Sequence, residues 1–369
     1  QKLIQKITEK NQTCKFHEGA KAIDDFIINN LSQIYIPITR GELWDESEEK
    51  KNRRLAIYAV LNKVLKTLDI LIHPFCPYTS EHLYQTVFEG KQSILLDKWP
   101  QYQESLVNEE IEESFDIMKD VVSISSAARM KGKLKRRWPL NEAQICVKKN
   151  QKIKLESLSS LLKSQLNVEK FNIVETEMEE GLEQLLELKE LGLPVESTLE
   201  LERKKIGPKV KQHMGKVVSM FSETNPDEII SSIQKDGKYD FKIDSEIISL
   251  DKEDFIVDFD SKEDFAVAKR DGFVVFISTS RNKEMMAKGL VKDIARRLQT
   301  LRKERGYNPT DVLDVASILE LDKESLEMIK ERKEELAFLV RVKKVDFEKS
   351  CKEYKDDDID GQKIKISVE

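Results

Sequence analysis

The sequence is 369 residues long, carries a formal net charge of −6, and is 35% charged but only 7% aromatic. That composition fits a charged, helix-rich chain with length for two or three domains. No apolar run reaches the ~18 residues a membrane-spanning helix needs. Gln1-Lys-Leu-Ile-Gln-Lys reads as a polar amphipathic helix rather than a secretory leader. Gln1 is not an initiator methionine, so the chain is expected to begin inside a longer protein. Cys14, Cys76, Cys146 and Cys351 stand far apart with no Cys-x-x-Cys pair, and the histidines are equally scattered. This points to a reducing cytosol and gives no spacing from which to propose a metal site.

In chain order, Leu3 to Tyr35 reads as helix, with Phe26, Ile27, Asn30, Leu31 and Ile34 at helical spacing and Pro37 expected to interrupt it. Leu61, Val64, Leu65, Leu68, Leu71 and Ile72 form one buried stripe on a helix from Arg53 to Ile72. Pro74 and Pro77 stop it, and Thr79 or Ser80 is the expected cap of the next helix, which carries Leu83, Tyr84, Val87 and Phe88. Another helix is expected from Asn108 to Met130. Beyond about Lys131 the pattern changes. Ala143–Lys149 and Phe171–Glu175 alternate like strands around a helical Leu155–Leu166, a strand–helix–strand unit. Val195–Glu202 is a further strand, and a helix with Val210, Met214, Val217 and Phe221 on one face follows Gly207-Pro208. Asn225-Pro-Asp-Glu228 is a helix start, and Gly237 can end that helix. Phe255–Phe259, Phe273–Ser278 and Lys363–Val368 are strands, and Lys283–Arg305 and Asp322–Leu339 are helices. The expected fold class is α+β multidomain: a mostly α-helical bundle over 1–135, an α/β junction domain over 136–260 and an α/β C-terminal domain over 261–369.

Charge is unevenly spread. Arg129–Arg137 and Arg203–Lys216 each hold six Lys or Arg and no acid, and Lys288–Arg305 holds seven bases against two acids. The acids gather at Glu109–Asp116, Glu175–Glu187 and Asp356–Asp360. Local basic patches on an acidic chain can steer an RNA, although Lys and Arg also simply solvate helix faces. Three places combine charge with a surface suited to RNA. In Arg40-Gly-Glu-Leu-Trp44 an aromatic can stack an unstacked base while Arg40 pairs with phosphate; Trp44 plugging the bundle is the plainer alternative. In Lys131-Gly-Lys-Leu-Lys-Arg-Arg-Trp-Pro-Leu140, Lys131, Lys133, Lys135, Arg136 and Arg137 suit phosphate gripping, against a solvated connector with Trp138 and Leu140 buried. On the helix near Leu290–Arg305, Lys292, Arg296, Gln299 and Lys303 lie opposite the apolar Val291, Ile294, Leu298 and Leu301, as either a backbone-contact stripe or a solvated face. His73 and His82 read as structural. The sequence has no Gly-x-x-x-x-Gly-Lys loop, no Gly-x-Gly-x-x-Gly and no nucleophile elbow. No catalytic residue is proposed.

Several stretches carry a family resemblance. Phe16–Phe26, Leu31–Tyr35, Leu71-Ile-His-Pro-Phe-Cys-Pro-Tyr-Thr-Ser-Glu-His-Leu-Tyr84 and Ser93-Ile-Leu-Leu-Asp-Lys-Trp-Pro100 resemble the anticodon-binding bundle of class I aminoacyl-tRNA synthetases of the isoleucyl, valyl and leucyl subgroup. Ala127-Ala-Arg with Leu134–Leu140, Leu201–Val210, and Gly289–Gly306 with Asn308-Pro-Thr-Asp311 resemble isoleucyl-tRNA synthetases in particular, in the expected order. The chain is thus similar to the C-terminal half of that enzyme in its archaeal and eukaryote-like branch, since the terminal cysteine zinc cluster of many bacterial members is missing. Lys288 departs from the pattern, where the family usually has an acid. The resemblance implies a part that binds the anticodon stem-loop of isoleucine tRNA and is not catalytic by itself. The His-x-Gly-His and Lys-Met-Ser-Lys-Ser signatures of activation are absent. It also implies a parent ligase that uses ATP and Mg2+, edits mischarged valine with another domain, and works as a cytoplasmic monomer away from membranes. Its partners would be the tRNA and the catalytic half of the same polypeptide, with no cofactor in this chain. A valyl- or leucyl-tRNA synthetase fragment and a helical protein-interaction module are the alternatives.

Overall fold

The computed structural model describes residues 1–369 apart from 44–46, 89–91, 178–179, 244–245 and 360. Two compact units divide the chain, Gln1–Lys119 and Asp120–Glu369. No helix among the described residues is long and apolar enough to cross a membrane.

The first unit is helical. It runs α1 Lys2–Gln12, α2 Phe16–Asp25, a π-helical stretch Phe26–Tyr35, α3 Ile36–Leu43, α4 Lys51–Ile72, α5 Pro77–Val87 and the start of α6 Glu109–Lys131. The single helix expected over 3–35 is therefore several. Cys14 takes a left-handed backbone (φ 54°) and the Lys15 amide donates back to the Lys10 carbonyl, which closes α1. Pro37 does not interrupt the helix: the change from π to α geometry places it in the first turn of α3, where a missing N–H is tolerated. The helix after the two prolines starts earlier than Thr79, because Pro77 occupies the first helical position behind Cys76. Ser80 instead pairs its hydroxyl with His73 Nδ1 (2.7 Å). Ile4, Ile7, Ile23 and Leu71 form the core, with Trp99 packed against it. The Ser93–Pro100 return is fastened by side chains. Glu81 accepts from the Ser93 hydroxyl and the Ile94 amide (3.0 and 3.1 Å), the buried Tyr84 donates to Asp97 (2.6 Å), and Trp99 Nε1–H donates to Thr8 (2.8 Å).

The second unit is mixed. It comprises β1 Leu140–Val147, α7 Lys149–Ser157, α8 Ser159–Leu166, β2 Val168–Glu175, α9 Leu182–Glu190, β3 Val195–Leu201, α10 Arg203–Val210, α11 Met214–Glu223 and α12 Pro226–Asp236. Then come β4 Lys238–Ile243, β5 Glu246–Asp251, β6 Phe255–Ser261, β7 Phe265–Arg270, β8 Phe273–Ser278, α13 Lys283–Glu304, β9 Leu313–Leu319, α14 Lys323–Lys330, α15 Lys333–Val340, β10 Val342–Asp346, β11 Lys355–Ile359 and β12 Gln362–Val368. The strand–helix–strand unit is present, with β1 and β2 parallel in the register Leu140↔Val168. One sheet has the order β2-β1-β8-β7, so β1 pairs antiparallel with β8 (Ile145↔Val275) across the 260/261 boundary drawn from the sequence. Every residue of β8 is buried, as its apolar Phe-Val-Val-Phe-Ile run requires. A second sheet has the order β10-β9-β12-β11, and α13, α14 and α15 share its core through Leu290, Ile294, Leu298, Ile329 and Leu336. The helix expected over 322–339 is two helices, α14 and α15. The fold class is α+β multidomain, a helical bundle followed by a mixed α/β region.

Candidate nucleic-acid interface

The basic stretch after α6 is a loop with a built interior. Arg129, in the last turns of α6, is buried, and its guanidinium donates to four carbonyls: Lys135 (3.1 Å), Trp138 (2.9 Å), Leu166 (2.8 Å) and Asn167 (3.2 Å). Burial pulls its pKa down to about 10, so it stays charged at neutral pH. It thereby ties the loop to the end of α8, where Asn167 adopts a left-handed cap (φ 52°) and its side-chain amide donates to the Arg136 and Arg137 carbonyls. Trp138 is buried, and its Nε1–H donates to Asp293 of α13 at 2.9 Å. Lys135 donates to the same carboxylate oxygen at 2.9 Å and lies 5.3 Å from the indole centroid; the Arg281 guanidinium stands at 4.9 Å. Burial pushes the Asp293 carboxyl up, but the hydrogen bonds from Trp138 and Lys135 outweigh it and hold the group below its usual value. Gly289 lets α13 approach, since a Cβ there would stand only 2.7 Å from Trp138 Cε3.

This interior leaves a cationic exterior. Lys131, at the end of α6, and Lys133, Arg136 and Arg137 of the loop are exposed. Lys131, Lys133 and Arg136 make no ion pair among the described residues, and Arg137 reaches Asp293 only at 4.0 Å. Lys133 holds a left-handed backbone (φ 52°). Lys135 turns inward and is engaged by Asp293. Along α13, Arg296 and Lys303 are exposed, whereas Lys292 is half-buried, donates to Asn167 Oδ1 at 3.3 Å, and has its pKa lowered by burial. Gln299 donates to the Leu339 carbonyl (2.8 Å), and the buried Arg302 is taken up by the Val340, Arg341, Asn308 and Asp311 carbonyls. Arg40 is exposed on α3 of the first unit, and Trp44 lies outside the described residues. The structure thus brings together Lys131, Lys133, Arg136 and Arg137, and ties their loop through Asp293 to the helix that bears Arg296 and Lys303. Sequence reading missed Arg129, Asp293 and Gly289. A lone acid one helical turn from Arg296 and Arg297, and a glycine inside a strong helix pattern, were the available signals.

Fixed cations on a rigid loop are suited to phosphates, which carry charge without sequence. Residues 1–145 match the family described as the anticodon-binding domain of tRNA ligase. The 131–137 loop lies within the matched segment. Over the greater part of its length the chain is similar to isoleucine–tRNA ligases. It is 28% identical over 314 residues to that of Sulfolobus acidocaldarius, covering 85% of this chain and 28% of the relative. It is 28% identical to that of Pyrococcus furiosus, covering 94% and 31%, and 28% identical to that of Methanocella arvoryzae, covering 100% and 33%. The chain spans about a third of the length of these curated relatives.

Proposed function

We propose that this chain is the tRNA-binding portion of an isoleucine–tRNA ligase and that it grips the anticodon stem-loop of isoleucine tRNA. The observation that carries the reading is the collinear similarity to isoleucine–tRNA ligases over 85 to 100% of the chain, together with the anticodon-binding family match over 1–145. The 131–137 loop supplies the physical means. Lys131, Lys133, Arg136 and Arg137 contact backbone phosphates, while Arg129 and Asp293 keep the loop from rearranging as RNA approaches. By the same reading Arg40 and Trp44 meet the anticodon, and Arg296 and Lys303 meet phosphates of the RNA backbone. A pre-formed loop loses little conformational freedom on binding, so more of the charge attraction appears as affinity. The parent enzyme joins isoleucine to its tRNA with ATP and Mg2+ in the cytoplasm as a monomer. The remaining catalytic portion of the polypeptide is this chain's second partner. The test is binding to transcribed isoleucine tRNA, with valine tRNA and an unrelated tRNA as controls. A preference for isoleucine tRNA that disappears when its anticodon is exchanged supports the reading. Equal affinity for all three, or none, overturns it.

A further inference from the structure

One basic stretch takes no part in the interface described above: Arg203–Lys216, with six Lys or Arg and no acid. It folds as α10, a 3-10 turn Lys211–His213 and the start of α11, with Ile206, Val210 and Val217 buried in the core. Neighbouring acids hold one side of it. Lys209 pairs with Asp251 (2.8 Å) and Asp254, His213 with Glu246 (3.1 Å), and Lys205 faces Glu253 at 3.7 Å. These contacts fasten the segment. Arg203, Lys204 and Lys211 are exposed and make no ion pair among the described residues.

Two backbone features mark the apex, where Lys211 ends α10 and its amide donates to the Gly207 carbonyl. Lys211 sits at φ 46°, ψ −117°, a conformation that side chains disfavour and glycine adopts freely. A cation is held there at the expense of local comfort. Gly215 in the first turn of α11 has an ordinary φ, and a Cβ on it would meet nothing within 4 Å. Neither conformation nor packing calls for glycine there, and helix propensity argues against it. Gly207 differs, because it relieves the clash that Pro208 imposes on a preceding Cβ in a helix. The apex is therefore a bare, exposed backbone that carries Lys211, with no aromatic between 203 and 216. Such a surface suits close approach of a phosphodiester backbone.

We infer that the α10–α11 turn is a second RNA-backbone contact, in which Arg203, Lys204 and Lys211 neutralise phosphates of the tRNA held by the 131–137 loop. The inference rests on the tRNA-binding reading. It is tested on the full chain by measuring tRNA affinity against salt for the parent, for Arg203→Ala/Lys204→Ala/Lys211→Ala, and for Arg136→Ala/Arg137→Ala. Each phosphate contact contributes about 0.7 to 0.9 to the slope of log affinity on log salt. The triple variant is expected to lose about 2 to 3 from that slope. Lys211→Gly alone is expected to raise the melting temperature and still lose slope, a pair of effects that damage to the fold does not produce. In the unsubstituted chain, tRNA is expected to slow hydrogen exchange across 203–216. A triple variant with the parent slope, beside a loop variant whose slope falls, overturns this contact and leaves the tRNA reading standing. A parent chain that binds no tRNA removes both. A triple variant that loses poly-glutamate binding but keeps tRNA binding assigns the turn to an acidic protein and overturns the inference.

Discussion

Gly289 sets the closest approach between α13 and the Trp138 indole, so the position has no room for a methyl group. Gly289→Ala is expected to destabilise the second unit by about 1–3 kcal/mol, because the ring and helix must separate. Urea unfolding of the two proteins measures it, and an unchanged midpoint would show that the indole can give way. Asp69 poses a different residue-scale problem. It is buried on α4, and its Oδ2 has no hydrogen-bond partner among the described residues. Burial raises its pKa to about 6, with nearby Glu81 pushing the same way and His73 opposing. The folded pKa is above the unfolded one, so the folded state binds the extra proton. The associated stability is present below about pH 4 and is lost as pH rises through about 6. Asp69→Asn should therefore gain stability relative to the parent at pH 8, by a few kcal/mol at most, and much less at pH 4. Thermal melts across that range check the sign. A difference between the two proteins that does not change with pH would show that Asp69 ionises freely.

At the scale of elements, α13 shows what a hydrophobic pattern reveals and what it hides. The inward face, Val291, Ile294, Leu298 and Leu301, was legible because burial imposes the helical period. The outward face was not, because its fate depends on what else packs there. Lys292 is drawn to Asn167, and Gln299 and Arg302 serve carbonyls at the end of α15. Of the expected stripe, Arg296 and Lys303 face solvent. Arg296→Ala/Lys303→Ala should thus flatten the salt dependence of tRNA binding, whereas Lys292→Met should leave it unchanged within error. The opposite ranking would relocate the contact to the α8 end of the helix. Short strands escaped the sequence for a related reason. Lys355-Asp-Asp-Asp-Ile359 shows in the sequence only as a run of acids, yet it is β11, with Asp356 opposite Lys365 and Asp358 opposite Lys363. Cross-strand charge pairing replaces apolar alternation as the signal, and it is visible only once the partner strand is known. Likewise Leu182–Glu190 hides a helix within an acidic run, and Arg129 looked like one more surface base until its four carbonyls came into view. By contrast, the Asn225-Pro226 helix start was readable because its chemistry is local: Asn225 Oδ1 accepts from the Asp227 amide at 2.9 Å.

For the whole molecule, a net charge of −6 argues against RNA only if charge is averaged. At 0.15 M salt the screening length is about 8 Å, so a phosphate responds to the cations beside it rather than to the total. With the four outward bases of the 131–137 loop engaged, raising salt from 50 to 200 mM should weaken tRNA binding roughly 100-fold. A titration by fluorescence anisotropy reads this directly, and a loss below about threefold would mean that the loop does not meet phosphate.

The pairing of β1 with β8 also has a consequence in time. When β1 and β2 leave the ribosome, they form a parallel pair whose inner edge lacks its neighbour until β3 to β7 have been made. At about 5–20 residues per second, that wait is of the order of ten seconds. Throughout it, Ala143 to Cys146 present the backbone groups that Val274 to Ile277 will later occupy. An open strand edge of this kind invites mispairing with another nascent chain. The second unit is thus most vulnerable to aggregation while it is being synthesised, and slower translation between β2 and β8 should lower its soluble yield.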